Sequence, residues 1–171
     1  ALGKQLYSFW IYNPDWKINV PQATFDSSAG KALASAAWAL NGGGRTGGRC
    51  WNGVANSIDH WKSNVVSYPS EAAPSAHLFG VWALANPRKL CSLLNMKLSS
   101  NTKLALAPEG AIIWHRAGHC GFSSSDGHIE VKVGPQTSGG QTWYVSDGPL
   151  ATDTFCPNAS AIFVPISKSF D

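Results

Sequence analysis

An α+β fold follows from the order of the periodicities in this 171-residue chain: helix-like segments come first and strand-like runs follow. Three apolar stripes at helical spacing lie between residues 29 and 86, and four β-rich runs lie between residues 111 and 166. No internal repeat or low-complexity linker interrupts them.

Residues 1–28 carry Tyr7, Phe9, Trp10, Tyr12, Trp16 and Phe25, broken by Pro14 and Pro21, and read as an extended aromatic arm packed on the domain. The remainder, 29–171, reads as one domain. Ser28 is placed to cap a helix over 29–40, with Leu33, Ala36, Ala37 and Leu40 on one stripe. A glycine-rich run, Asn41-Gly-Gly-Gly-Arg-Thr-Gly-Gly-Arg49, leads into a second helix over 50–61, whose Trp51, Val54, Ala55 and Ile58 share a face. After Pro69 and Pro74 a third helix runs over 76–86 on Leu78, Phe79, Trp82 and Ala83, and Asn86-Pro87 stops it. Residues 88–106 are balanced between a short helix and loop. Strands are expected at 111–115, 128–133, 142–147 and 161–166.

Composition narrows the class of protein. With 44% hydrophobic residues the chain can bury one core, and no apolar run reaches the length of a membrane span. The net charge is +3, but the 13 Lys and Arg are dispersed, so no nucleic-acid stripe or polybasic membrane patch forms. A mildly basic protein is still drawn to an anionic polymer such as a bacterial wall. Low charge (13%), eight Trp and an opening Ala1 with no basic-then-apolar leader read as a secreted or periplasmic chain whose signal peptide has been removed, although a cloned fragment reads the same way. In an oxidising compartment the four cysteines would most simply form two disulfides.

One cysteine stands apart. Cys50 ends the glycine-rich run and begins a helix, where the positive field of the helix N-terminus favours a thiolate nucleophile. If it is reactive, at most one disulfide forms among Cys91, Cys120 and Cys156. Further along, residues 128–133 alternate, with Ile129, Val131 and Val133 on one face and His128, Glu130 and Lys132 on the other. A hairpin symmetric about Gly134-Pro-Gln-Thr-Ser-Gly-Gly140 pairs Val133 with Thr142, and so His128 with Asp147. Cys50, His128 and Asp147 then make a nucleophile, a base and a carboxylate that orients the base. Glu130, on the same face as His128, is the second choice of orienter, and a bulge would hand the role to Ser146 or a backbone carbonyl.

Four segments resemble the NlpC-like and CHAP-like branch of papain-like cysteine peptidases and amidases, which cut the peptide part of bacterial peptidoglycan. Gly48-Arg-Cys50-Trp-Asn-Gly-Val54 resembles the nucleophile helix, and Ala107-Pro-Glu-Gly-Ala-Ile-Ile-Trp114 the strand preceding the histidine. Gly127-His128-Ile-Glu-Val131 resembles the histidine strand, and Tyr144-Val-Ser-Asp147 the strand with the third polar residue. The resemblance covers about residues 29–166. It implies a papain-like fold with N-terminal helices on an antiparallel sheet, and roles as nucleophile, base and third residue for Cys50, His128 and Asp147. It implies attack on an amide carbonyl through a thioester, an oxyanion hole that includes the Cys50 N–H, and no metal or organic cofactor. Trp51 and Trp10 are candidate groove-lining residues, with core packing as their ordinary role. A monomer is expected, with peptidoglycan or muropeptides as partners and, for a chain that attacks another cell, a protein inhibitor or immunity partner. Two features depart from the family pattern: the long segment Arg116 to Gly127 and the aromatic arm, either of which would shape substrate choice or deny access.

Other readings use the same residues. His115, His119 and His128, with Cys120 beside them, supply ligand types for a zinc-dependent peptidase, although no Glu lies between His115 and His119 to act as base. A papain-like transglutaminase or deamidase would use the same triad with another acyl acceptor. An inactive wall-binding module would rely on the aromatic residues alone.

Overall fold

The computed structural model describes residues 24–44, 47–135 and 139–167. Most of the aromatic arm, including Trp10, lies outside the described residues. Among the described residues four α-helices precede and six strands follow, with one short strand directly after the last helix: α1 (Ser27–Asn41), α2 (Cys50–Lys62), α3 (Ala76–Ala85), α4 (Pro87–Leu94), β1 (Met96–Leu98), β2 (Ile112–His115), β3 (His128–Val133), β4 (Trp143–Val145), β5 (Pro149–Leu150) and β6 (Ala161–Pro165). The strands form one antiparallel sheet in the order β1-β6-β2-β3-β4-β5. The chain is α+β, as the order of periodicities predicts. None of its described helices is long and apolar enough to cross a membrane.

The helix boundaries follow their caps. Asp26, rather than Ser28, caps α1: its Oδ1 accepts the Ala29 N–H at 3.0 Å, and the helix begins one residue before Ser28. Helix α1 buries Gly30, Leu33, Ala34, Ala36 and Ala37, while Leu40 is exposed, so the stripe is rotated from its expected position. Leu78 is likewise exposed on α3, where Phe79, Gly80, Trp82 and Ala83 face inward. Between 88 and 106, Pro87 at the first turn sets α4, and Met96–Leu98 adds the outer strand β1 beside β6.

Both faces of the sheet are covered. Ile112, Trp114, Ile129, Val131, Val133 and Phe163 pack under the helices with Leu33, Val54, Ile58 and Phe79. On the opposite face Ile113, Tyr144, Ile162 and Val164 pack with Leu104, Ala107 and Ala159. The alternation along β3 is therefore real, but its polar face is not solvated. Lys132 illustrates the cost and its remedy: its Nζ donates to the Leu104 and Ala107 carbonyls, each at 2.7 Å.

Two close approaches fix α2 and α3 against the sheet. A Cβ on Gly53 would stand 2.2 Å from the Ser146 carbonyl oxygen, and one on Gly80 would stand 1.9 Å from the Trp114 ring. Only glycine lets α2 lie directly on the backbone that leaves β4.

Candidate active site

Gly47 and Gly48 both adopt positive φ, +75° and +71°, and turn the chain into α2 so that Cys50 becomes its first residue. Helix geometry leaves the Cys50 N–H without an intrahelical acceptor. Trp51, the next residue, points into the core rather than a groove. It stacks on Phe79 at 4.6 Å, and its Nε1 donates to the Ala73 carbonyl. The Cys50 side chain is half-buried and reaches the imidazole of His128, the first residue of β3.

His128 is directly opposed to His115 at the loop end of the β2–β3 ladder. Glu130, two residues along β3 on the same face, lies between the two rings. Its Oε1 is 3.2 Å from His115 Nε2 and its Oε2 is 3.6 Å from His128 Nε2, while Thr152 Oγ1 donates to Oε2 at 2.7 Å. The His128 contact is longer than a hydrogen bond, and no other acceptor meets that nitrogen among the described residues. Glu130 and His115 are fully buried, and His128 is nearly so.

Burial and partners pull these groups apart in charge. Burial disfavours the imidazolium of His128, but the Cys50 thiol and the Glu130 carboxylate outweigh it and raise its pKa to about 9. Burial dominates at His115 and lowers its pKa despite Glu130. Glu130 is also penalised by burial, yet its two histidine partners keep it below the usual carboxylate range. The resulting arrangement is an ionised Glu130 between a neutral His115 and a protonated His128.

The hairpin register differs from the expectation. Val133 pairs with Trp143, not Thr142, and the β3–β4 ladder stops at Val131 opposite Val145. A shift of one residue reverses which face a side chain takes, so the pairing that put Asp147 opposite His128 is not formed. Asp147 instead serves the approach to α2: its Oδ2 accepts the Arg49 N–H at 3.2 Å and its Oδ1 accepts from Ser146 Oγ at 3.0 Å. The chain tightens after β4 because Pro149–Leu150 forms β5 back against Tyr144 and Val145, a strand absent from the sequence reading.

Cys120 and Cys156 form a disulfide, with Cys50 and Cys91 as free thiols. It ties the long 116–127 segment to the turn before β6. That segment brings Phe122 flat against His128, with ring centroids 4.2 Å apart and planes 8° from parallel. The proposed zinc set is also rearranged. His115 and His119 have ligand atoms that group with Cys156, all within 4.8 Å of one another, whereas His128 faces Glu130 and Cys50.

Sequence reasoning missed Thr152, Phe122 and the role of His115. A signal for His115 was present, since a hairpin centred on the 116–127 segment sets it opposite His128. No protein-family model matches the chain, and neither a curated protein nor a solved structure does.

Proposed function

We propose that the chain is a cysteine-dependent amide hydrolase of papain-like type that acts on the peptide part of bacterial peptidoglycan. The observation that carries the chemistry is the His128 imidazole, held between the half-buried Cys50 thiol and the buried Glu130 carboxylate. The choice of peptidoglycan rests on the four sequence segments resembling the NlpC-like and CHAP-like branch.

In this reading the thiol proton already resides on His128, and the Cys50 thiolate beside it attacks the amide carbonyl. The Cys50 N–H, which has no intrahelical acceptor, donates to the oxyanion of the tetrahedral intermediate. His128 returns the proton to the leaving amine, a thioester remains, and His128 then takes a proton from the water that hydrolyses it. Glu130 is the carboxylate that orients His128, and Asp147 holds the start of the nucleophile helix. The Cys120–Cys156 disulfide supports a secreted or periplasmic location.

Mass spectrometry of defined muropeptides incubated with the protein tests this. Wild type should release peptide fragments carrying a new carboxylate, and Cys50→Ala should reduce the rate by on the order of 10⁶. Equal release by Cys50→Ala overturns the mechanism. Sedimentation with sacculi without any release would make the chain a binder instead.

A further inference from the structure

The disulfide covers a second constellation, separate from the Cys50–His128 pair. His115, His119 and Cys156 each offer one ligand atom, and these three atoms lie within 4.8 Å of one another. Two imidazole nitrogens and one sulfur match the donor preferences of zinc. The spacing fits as well. Tetrahedral ligands at about 2.1 Å for nitrogen and 2.3 Å for sulfur stand about 3.6 Å apart, and His115 Nδ1 lies 3.7 Å from Cys156 Sγ.

The outer partners are those of a metal centre. One nitrogen of each ring already faces an oxygen: His115 Nε2 is 3.2 Å from Glu130 Oε1, and His119 Nε2 is 2.7 Å from the Asn158 carbonyl. Both contacts place the ring proton on Nε2 and leave Nδ1 with its lone pair, the tautomer that binds a cation. At His115 that lone pair is buried and points at a sulfur that, while bridged to Cys120, has no proton to donate. His119 is only half-buried and gives an ion a way in.

We propose that opening the Cys120–Cys156 disulfide with a dithiol creates a zinc site built from His115 Nδ1, one ring nitrogen of His119 and Cys156 Sγ. The dithiol gives up two electrons and two protons and closes to its own disulfide, and Cys120 and Cys156 become thiols. Cys156 loses its proton as the cation binds, and water takes the fourth position. The disulfide and the metal are therefore alternative occupants of one sulfur. The site uses neither Cys50 nor His128, so its existence does not depend on the hydrolase reading.

Cobalt titration of the full chain carrying Cys50→Ala, which removes the neighbouring thiol, tests the proposal. A trialkylphosphine serves as reductant because it opens the disulfide, taking its oxygen from water, without adding a competing thiol. The reduced protein should bind one Co²⁺ with a thiolate-to-cobalt charge-transfer band, and the oxidised protein should bind none. Cys120→Ser should bind without reductant, because its Cys156 is already a thiol. Cys156→Ser should lose the charge-transfer band, and His119→Ala, at a half-exposed ring that the fold can spare, should lose saturable binding. A reduced protein with no charge-transfer band overturns the proposal, and so does binding that is equal in the oxidised protein or unchanged in His119→Ala.

Discussion

Strand β3 belongs to two hairpins, and they differ in how far they hold together. The β2–β3 ladder runs to its last pair, His115 with His128, and the loop beyond it is anchored by the Cys120–Cys156 disulfide. The β3–β4 ladder ends at Val131 and Val145, short of His128, and the chain turns away to form β5. His128 is thus positioned by the first hairpin and the start of α2, with Cys50, by the second. Two buried carboxylates divide the work accordingly, with Glu130 on the imidazole and Asp147 on the Arg49 N–H.

The largest expected effect sets these carboxylates against each other. Glu130→Gln should reduce muropeptide release by about 10²–10⁴-fold, the usual contribution of proton-transfer machinery, while Asp147→Asn should cost less. The reverse order would return the orienting role to Asp147. Stapling comes next. Replacing both Cys120 and Cys156 by Ser should lower unfolding stability by about 4 kcal/mol in urea titrations, from the loop of 36 residues that the bond closes. A change near zero would mean that strand pairing alone holds the first hairpin.

Titration sharpens the same contrast. The His128 ring should titrate near pH 9 by NMR, and Glu130→Gln should move the midpoint down. A raised folded pKa means that the His128 contribution is fully present below about pH 6.5, the unfolded value, and is lost as pH rises through about 9, a change of about 3 kcal/mol. His115 acts in the opposite sense: its lowered pKa removes stability as pH falls below its unfolded value. Stability should therefore peak near pH 6.5, and a curve still rising at pH 9 would contradict the assignment of charge. The smallest effect concerns the second hairpin. Alanine normally stabilises a helix relative to glycine by up to about 1 kcal/mol, but Gly53→Ala should destabilise by about 1–3 kcal/mol because its methyl meets the Ser146 carbonyl. Stabilisation by Gly53→Ala would show that α2 is free to move off β4.

Much of this architecture was legible in the sequence. Periods of 3.6 and 2 gave the helices and strands, the glycine-rich approach singled out Cys50, and the alternation of β3 put His128 and Glu130 on one face. What failed was inference across the turn at 134–140. Symmetry of a glycine-containing loop does not fix its register, and one residue was enough to undo the expected pairing of Asp147 with His128. The burial of the polar face of β3 was not legible for a different reason. Residues 104–107 and 152–156 cover it, and no local pattern announces a cover supplied by distant chain. Cysteine spacing likewise left three pairings open, and only the fold selects Cys120 with Cys156.

The Phe122 ring has a mechanical consequence for His128. A half-turn of an imidazole exchanges its two nitrogens, and a plane stacked 4.2 Å away blocks that rotation unless it withdraws. The flip therefore cannot be a fast, independent motion of one side chain and must wait for the 116–127 segment to open. Which nitrogen faces Cys50 and which faces Glu130 then persists for as long as that segment stays closed, kept by a hydrophobic neighbour that donates and accepts nothing.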